Sequence, residues 1–208
     1  MSRQRIIRYQ TSPFRHPHIL IEQIFNGFIK RVDYLSSKHS QISVSHMTLN
    51  LPITKNTVGA KVVGLCLTNM RRKLKKIGIE SQAGWVREES LKEHEHFHIG
   101  FIWDSSKIQN ATQIGNMLNE EFADYLRLPA HYRCVNVNPP NPVLDRQFNL
   151  NILSNKTIKL RRGLEGFDEQ RINIINWLAY LAKIETKGNR EERYIREFGF
   201  SLCYYKGE

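Results

Sequence analysis

Residues 93–104 read Glu93-His94-Glu95-His96-Phe97-His98-Ile99-Gly100-Phe101-Ile102-Trp103-Asp104. The run is apolar from Phe97 to Trp103 and bounded by charge, the pattern of a buried central strand. Side chains alternate along a strand, so His94, His96 and His98 share one face while Phe97, Ile99 and Phe101 share the other. Two imidazoles two residues apart on one rigid strand can reach a single metal ion. Neutral imidazole suits Mn²⁺, Zn²⁺, Ni²⁺ or Cu²⁺, and carboxylates beside it shift the choice toward harder ions. The plainer alternative is a His-rich sheet face bonded to water, and a short motif alone does not decide between them. The segments around the strand do.

Immediately upstream, Gln82 to Glu89 reads Gln-Ala-Gly-Trp-Val-Arg-Glu-Glu, a second strand. The connection Ser90 to Lys92 is short enough to pair the two as an antiparallel hairpin. Glu88 or Glu89 then lies across from the histidines and offers a third, oxygen ligand. Two histidines and one carboxylate leave coordination positions open for substrate oxygens. Ile42 to Leu51 alternates and stops at Pro52, which predicts a further strand. His46 on it could face the site, but reads first as a hydrogen-bonded structural histidine.

Helical spacing appears from Ile19 through Leu35, from Asn56 to Ile77, from Ile108 to Leu126 and from Asp168 to Lys187. The second has Thr54 or Asn56 as its cap, Gly78 as its stop, and Val58, Val62, Leu65, Cys66, Met70 and Leu74 as its core stripe. Its last turns carry Arg71, Arg72, Lys73, Lys75 and Lys76. Cations there complement the helix dipole, but five exceed that need and suit a phosphate backbone. The third takes Asp104-Ser105-Ser106 as its cap and Ile114, Leu118 and Tyr125 as its core side. Short strands are predicted over Tyr132 to Val137 and Phe148 to Leu153, and a basic loop over Lys156 to Gly166 containing Arg161 and Arg162. In the last helix, Asn173, Asn176, Tyr180, Lys183 and Lys187 recur at steps of three and four, opposite Ile172, Ile175, Leu178, Ala179 and Ala182. Tyr180 thus joins a polar, cationic stripe. The tail from Arg196 to Tyr205 reads as a closing edge strand.

The 208 residues suit one domain over 18–208 with a basic N-terminal arm over 1–17. Thirty-one Lys and Arg against 20 Asp and Glu give a formal charge of +11, which favours polyanionic partners, nucleic acid first. No apolar run approaches the roughly 20 residues needed to span a bilayer. The three cysteines, Cys66, Cys134 and Cys203, are odd in number and lack zinc-ribbon spacing, as expected of reduced thiols in an intracellular protein. No Gly-x-x-x-x-Gly-Lys-Ser/Thr loop is present, so P-loop ATPase chemistry is excluded.

Metal, tyrosine and lysine fit one chemistry, attack of a phenol on a phosphodiester. The motifs His96-Phe97-His98, Tyr180-Leu181-Ala182-Lys183 and Met47-Thr48-Leu49-Asn50 resemble those of the HUH endonucleases, the rolling-circle replication initiators. Trp85-Val86-Arg87-Glu88 and Arg196-x-Phe198-Gly199-x-Ser201 are similar to the gene II-type initiators of filamentous phages and to YagK/YfjJ-type prophage proteins. The resemblance covers roughly Ile42 to Ser201. It implies an α+β fold: a five-stranded antiparallel sheet of the HUH, RRM-like kind, flanked by helices, with the histidines on a central strand. It implies Glu88, His96 and His98 as ligands of one Mg²⁺ or Mn²⁺, Tyr180 as nucleophile and Lys183 as its assistant. It also implies single-stranded DNA at a replication origin as substrate, a host helicase and polymerase as partners, and a bacterial cytoplasm as location. One tyrosine, with Asn176 and Ile184 four residues either side, makes this the single-tyrosine type. A nucleic-acid-binding regulator derived from such an initiator, without nicking activity, is the alternative.

Overall fold

In the computed structural model, the residues described are 6–9, 18–50, 60–89, 95–129, 131–138, 157–182 and 198–203. The histidine run forms β5 (Glu95–Asp104) and the preceding segment β4 (Ser81–Glu89), paired antiparallel as the hairpin rule requires. The other side of β5 is taken by β3 (Gln41–Asn50), so the apolar run lies at the centre of the sheet. Beyond β4 lies the edge strand β8 (Phe198–Phe200). Beyond β3, two short strands share one edge: β7 (Ile158–Arg161) pairs with residues 41–44 and β6 (Val135–Val137) with residues 47–49. The result is a six-strand open sheet, five of its strands in one ordered run β6-β3-β5-β4-β8, and every pairing is antiparallel. A separate ribbon joins β1 (Ile6–Tyr9) to β2 (His18–Ile21).

Among the described residues, four helices cover the sheet, two on each face. The odd-numbered residues of β4 and β5, with Met47 and Leu49 of β3, pack under α2 (Ala60–Lys76) and α3 (Ala111–Leu126). The even-numbered residues face α1 (Glu22–Lys38) and α4 (Phe167–Ala179). Each face has its own apolar core, because strand alternation delivers Phe97, Ile99, Phe101 and Trp103 to one side and Ile102, Val86 and Val44 to the other. Gly84 and Gly100 are register partners on the α1 face. A Cβ on Gly100 would overlap the Phe28 ring, and one on Gly84 would overlap Phe200 as well, so two absent side chains make room for two aromatic rings. Those rings meet edge to face, 5.1 Å between centroids.

Several expectations need correction. Residues 158–161 form a strand, because Ile158 and Leu160 alternate into the α1 core; the glycines confine the loop to the residues that follow. The first helix starts at Glu22, since residues 18–21 pair with β1, and so part of the basic arm is sheet. Helix α3 starts at Ala111, capped by the Asn110 side chain accepting from the Thr112 amide at 2.8 Å. Asp104 instead closes its own turn by accepting from Ser106. Only residues 135–137 of the Tyr132–Val137 segment are strand. Leu65, Tyr125 and Ile172 are exposed; the buried stripe of α2 runs Val63, Cys66, Leu67, Met70, Leu74, and the buried residues of α4 begin at Ile174. Thr54, Asn56, Val58 and the expected strand over Phe148–Leu153 lie outside the described residues.

Candidate metal centre

The β4–β5 register sets Glu88 opposite His96, and alternation carries Glu88, His96 and His98 to the same face of the sheet, toward α4. Of the two carboxylates left open by the sequence, register therefore selects Glu88. Its Oε2 lies 2.7 Å from His98 Nε2 and 3.3 Å from His96 Nε2, and the three ligating atoms fall within 4.8 Å of one another. Glu88 and His98 are buried and His96 is half-buried.

The close approach of His98 Nε2 to Glu88 is not a hydrogen bond: the buried nitrogen has no hydrogen-bond partner in its angular range. A buried polar atom left so costs about 1–3 kcal/mol. A cation between the two atoms removes that cost. Ligands at roughly 2.0–2.2 Å from a metal sit about 3 Å apart across a coordination edge, the spacing observed here. The donor set therefore fits a divalent ion.

The rest of the face holds the ligands in place. His98 Nδ1 is 2.7 Å from His46 Nε2, and Thr48 Oγ1 lies 3.5 Å from the same Nδ1. With Nδ1–H donating to His46, the lone pair of His98 Nε2 is left pointing to the Glu88 side. Asn138 donates to Thr48 Oγ1 at 2.6 Å and lies 3.5 Å from His46 Nε2. Its own amide donates to the His46 carbonyl, so the end of β6 is tied to this cluster.

Tyr180 opens a 3₁₀ turn, Tyr180–Ala182, that continues α4. Its ring centroid is 6.3 Å from that of His46 and 6.4 Å from that of His98, and Trp177 packs edge-on against His46 at 6.0 Å. Burial, and secondarily the negative charge of Glu88, push the Tyr180 phenol above the ordinary tyrosine value. Comparison with protein-family models, with curated proteins and with solved structures finds no match.

The structure thus gathers Glu88, His96, His98 and Tyr180. It also places His46 on the same face, hydrogen-bonded as its strand position suggests, with His98 as the partner. The signal was present in the parity of His46 with Thr48, but only the β3–β5 register shows that this parity faces His98. The polar stripe of the last helix is not an open one: Asn176 is buried, Asn173 is half-buried, and Tyr180 turns inward over the sheet. Lys183, Lys187 and His94 lie outside the described residues. Arg71, Arg72 and Lys75 line a cleft at the other end of β4, Lys73 pairs with Glu121, and Lys76 is exposed. Arg162 donates to the Ser37 carbonyl at the end of α1, next to exposed Arg161.

Proposed function

We propose that this chain is a metal-dependent nicking and joining enzyme for single-stranded DNA, in which Tyr180 is the nucleophile and a phage, prophage or plasmid replicates by the rolling-circle route. The observation that carries the reading is the phenol standing over the Glu88, His96 and His98 group on one sheet face. A purely structural metal site is closed and rich in cysteine. This one contains no cysteine and faces a hydroxyl-bearing side chain.

Glu88, His96 and His98 would hold the ion, with His46 and Thr48 fixing the His98 ring. When bound, the divalent ion supplies charge neutralisation at the scissile phosphate and offsets the Glu88 charge that helps keep the phenol protonated. The Tyr180 oxygen attacks phosphorus in line, the P–O3′ bond breaks, and the proton lost by the phenol is balanced by the one gained at the 3′-hydroxyl. The 5′-phosphate is left esterified to Tyr180. One phosphodiester has been exchanged for another, so rejoining needs no nucleotide energy. Lys183, one turn beyond Tyr180 in sequence, is assigned to assist ionisation or to stabilise the pentavalent phosphate. The reading also takes Mg²⁺ or Mn²⁺ as the ion and a host helicase and polymerase as partners.

The regulator alternative draws on one observation, the upward shift of the Tyr180 phenol, which works against a nucleophile. A 3′-labelled pool of single-stranded oligonucleotides with randomised cores, incubated with Mn²⁺, separates the two. Wild-type protein should acquire the label covalently, and Tyr180→Phe should bind the pool equally and acquire none. Cleavage by the Phe variant at the wild-type rate would assign the attack to water. Binding without covalent label by wild-type protein would favour the regulator.

A further inference from the structure

A cleft of about 900 Å³ opens at the end of the sheet where β4 begins. Gln82, in its lining, is six residues from Glu88 along one strand, roughly 20 Å at about 3.3 Å per residue. One wall is the last turns of α2, with Arg71, Arg72 and Lys75; another is the end of α1, with Lys38 and His39. Among the described residues lining it, Glu80 is the sole carboxylate. Glu80 is already engaged, accepting from Tyr34 at 3.0 Å and Lys38 at 3.3 Å, with His39 Nε2 at 3.1 Å from its other oxygen.

The simplest account of these cations is service to the end of α2. That service is supplied by other groups. Gly78 and Ile79 donate their amides to the carbonyls of Lys75 and Leu74, and Lys107 donates to the Ile77 carbonyl at 2.6 Å. Arg71 is held against the Ser81 carbonyl at 2.8 Å, which fixes its guanidinium on the cleft wall. Arg72 and Lys75 are exposed and lie one turn apart. With Lys38 and His39 engaged by Glu80, the remaining cations run along the α2 wall, and Arg71, Arg72 and Lys75 in a line suit a row of phosphates better than a single small anion; the volume lies within the range of ligand sites.

We propose that this cleft is a second nucleic-acid site, which grips the phosphate backbone of a strand about 20 Å from the metal centre. It rests on the proposed function only in sharing its polymer; the contact itself needs neither metal nor tyrosine. Arg72 and Lys75 carry it, Arg71 is the pre-positioned third contact, and the Glu80 network sets the cleft wall.

The test is fluorescence anisotropy of a labelled 30-nucleotide single strand in EDTA, over a series of salt concentrations. Arg72→Glu/Lys75→Glu should weaken binding at least about 10-fold. The milder Arg72→Gln/Lys75→Gln should lower the slope of log K against log salt by about 1.4, two contacts at roughly 0.7 each for single strands. Lys61→Glu/Arg127→Glu, the same charge change at exposed positions outside the cleft, should cost less than about 3-fold. His96→Ala/His98→Ala should bind the strand as wild type does, so failure of the nicking chemistry leaves this result standing. Mn²⁺ affinity of the cleft variants should be unchanged. Equal losses in the control pair, an unaltered slope in the Gln pair, or wild-type protein that binds phosphatidylglycerol vesicles but not the oligonucleotide would each overturn the proposal.

Discussion

At the scale of single residues, His46 acts on the Glu88, His96 and His98 group from one step away, through the His98 ring. It contributes no ligating atom to the group, yet its Nε2 lies 2.7 Å from His98 Nδ1, where an Nδ1–H donated to it would leave the Nε2 lone pair for a metal. Outer partners of this kind typically govern metal affinity by about 10–100-fold. His46→Ala should therefore weaken Mn²⁺ binding by that factor in isothermal titration while leaving one site. His98→Ala should remove the site. Titration curves for His46→Ala that overlay the wild type would show that Thr48 and the strand backbone orient His98 without help. Glu88→Gln keeps the shape of the side chain and removes its charge, so it should weaken the site more than His46→Ala does. Register explains why Glu88 was readable only as one of two glutamates: a shift of one residue on β4 exchanges the faces of Glu88 and its neighbour, and neither sequence position states which pairing wins.

At the scale of elements, the paired glycines decide how close α1 comes to the sheet. Gly100→Ala drives a methyl group into Phe28 and should cost about 1–3 kcal/mol, the usual penalty of overpacking, read as a fall in urea midpoint at constant slope. Phe28→Leu in the same chain should recover part of it; no recovery would place the strain in the strand itself. The α2–α3 layer has a different sensitivity. Burial pushes the Cys66 thiol up to about 12 and the Cys134 thiol up to about 11. A thiol held as a weaker acid by the fold means that the unfolded chain releases its protons first. Stability is therefore flat below about pH 9 and falls as pH rises from there. Urea midpoints at pH 7.5 and pH 10 should differ more for wild type than for Cys66→Ala/Cys134→Ala; equal differences would assign the alkaline loss elsewhere. Alternation made β3, β4 and β5 legible, because each has a buried face and residues of one kind on it. Strand β7 was hidden by its basic residues: Lys159 and Arg161 sit at the edge of the sheet beside glycines, which in sequence resemble a loop. The inward turn of Tyr180 was hidden because α4 gives way to a 3₁₀ turn at that residue, which breaks the spacing from which an outward stripe was read.

At the scale of the whole molecule, among the described residues no helix is long and apolar enough to cross a membrane, and the formal charge of +11 is what the proposed contact with nucleic acid draws on. Single-strand affinity should fall steeply between 50 mM and 200 mM salt, and a flat response would argue that the charge serves another purpose. The sheet also has two unlike ends. At the Asp104 end, β5 continues straight into a hydrogen-bonded turn, and the Asp104 amide donates to Glu80. At the other end, where the chain passes from one strand to the next, Glu88 and His96 face each other, so an ion held between them would be a clasp at the closed end of the hairpin. Amide hydrogen exchange should register that clasp directionally. With Mn²⁺ at a hundred times its dissociation constant, amides that exchange by opening at Val86–Glu88 and His96–His98 should slow by about 100-fold, the equivalent of about 2.7 kcal/mol. Those at Ser81–Ala83 and Phe101–Trp103 should keep their rates, so that a bound ion would be visible as a gradient of proton exchange running down a single pair of strands.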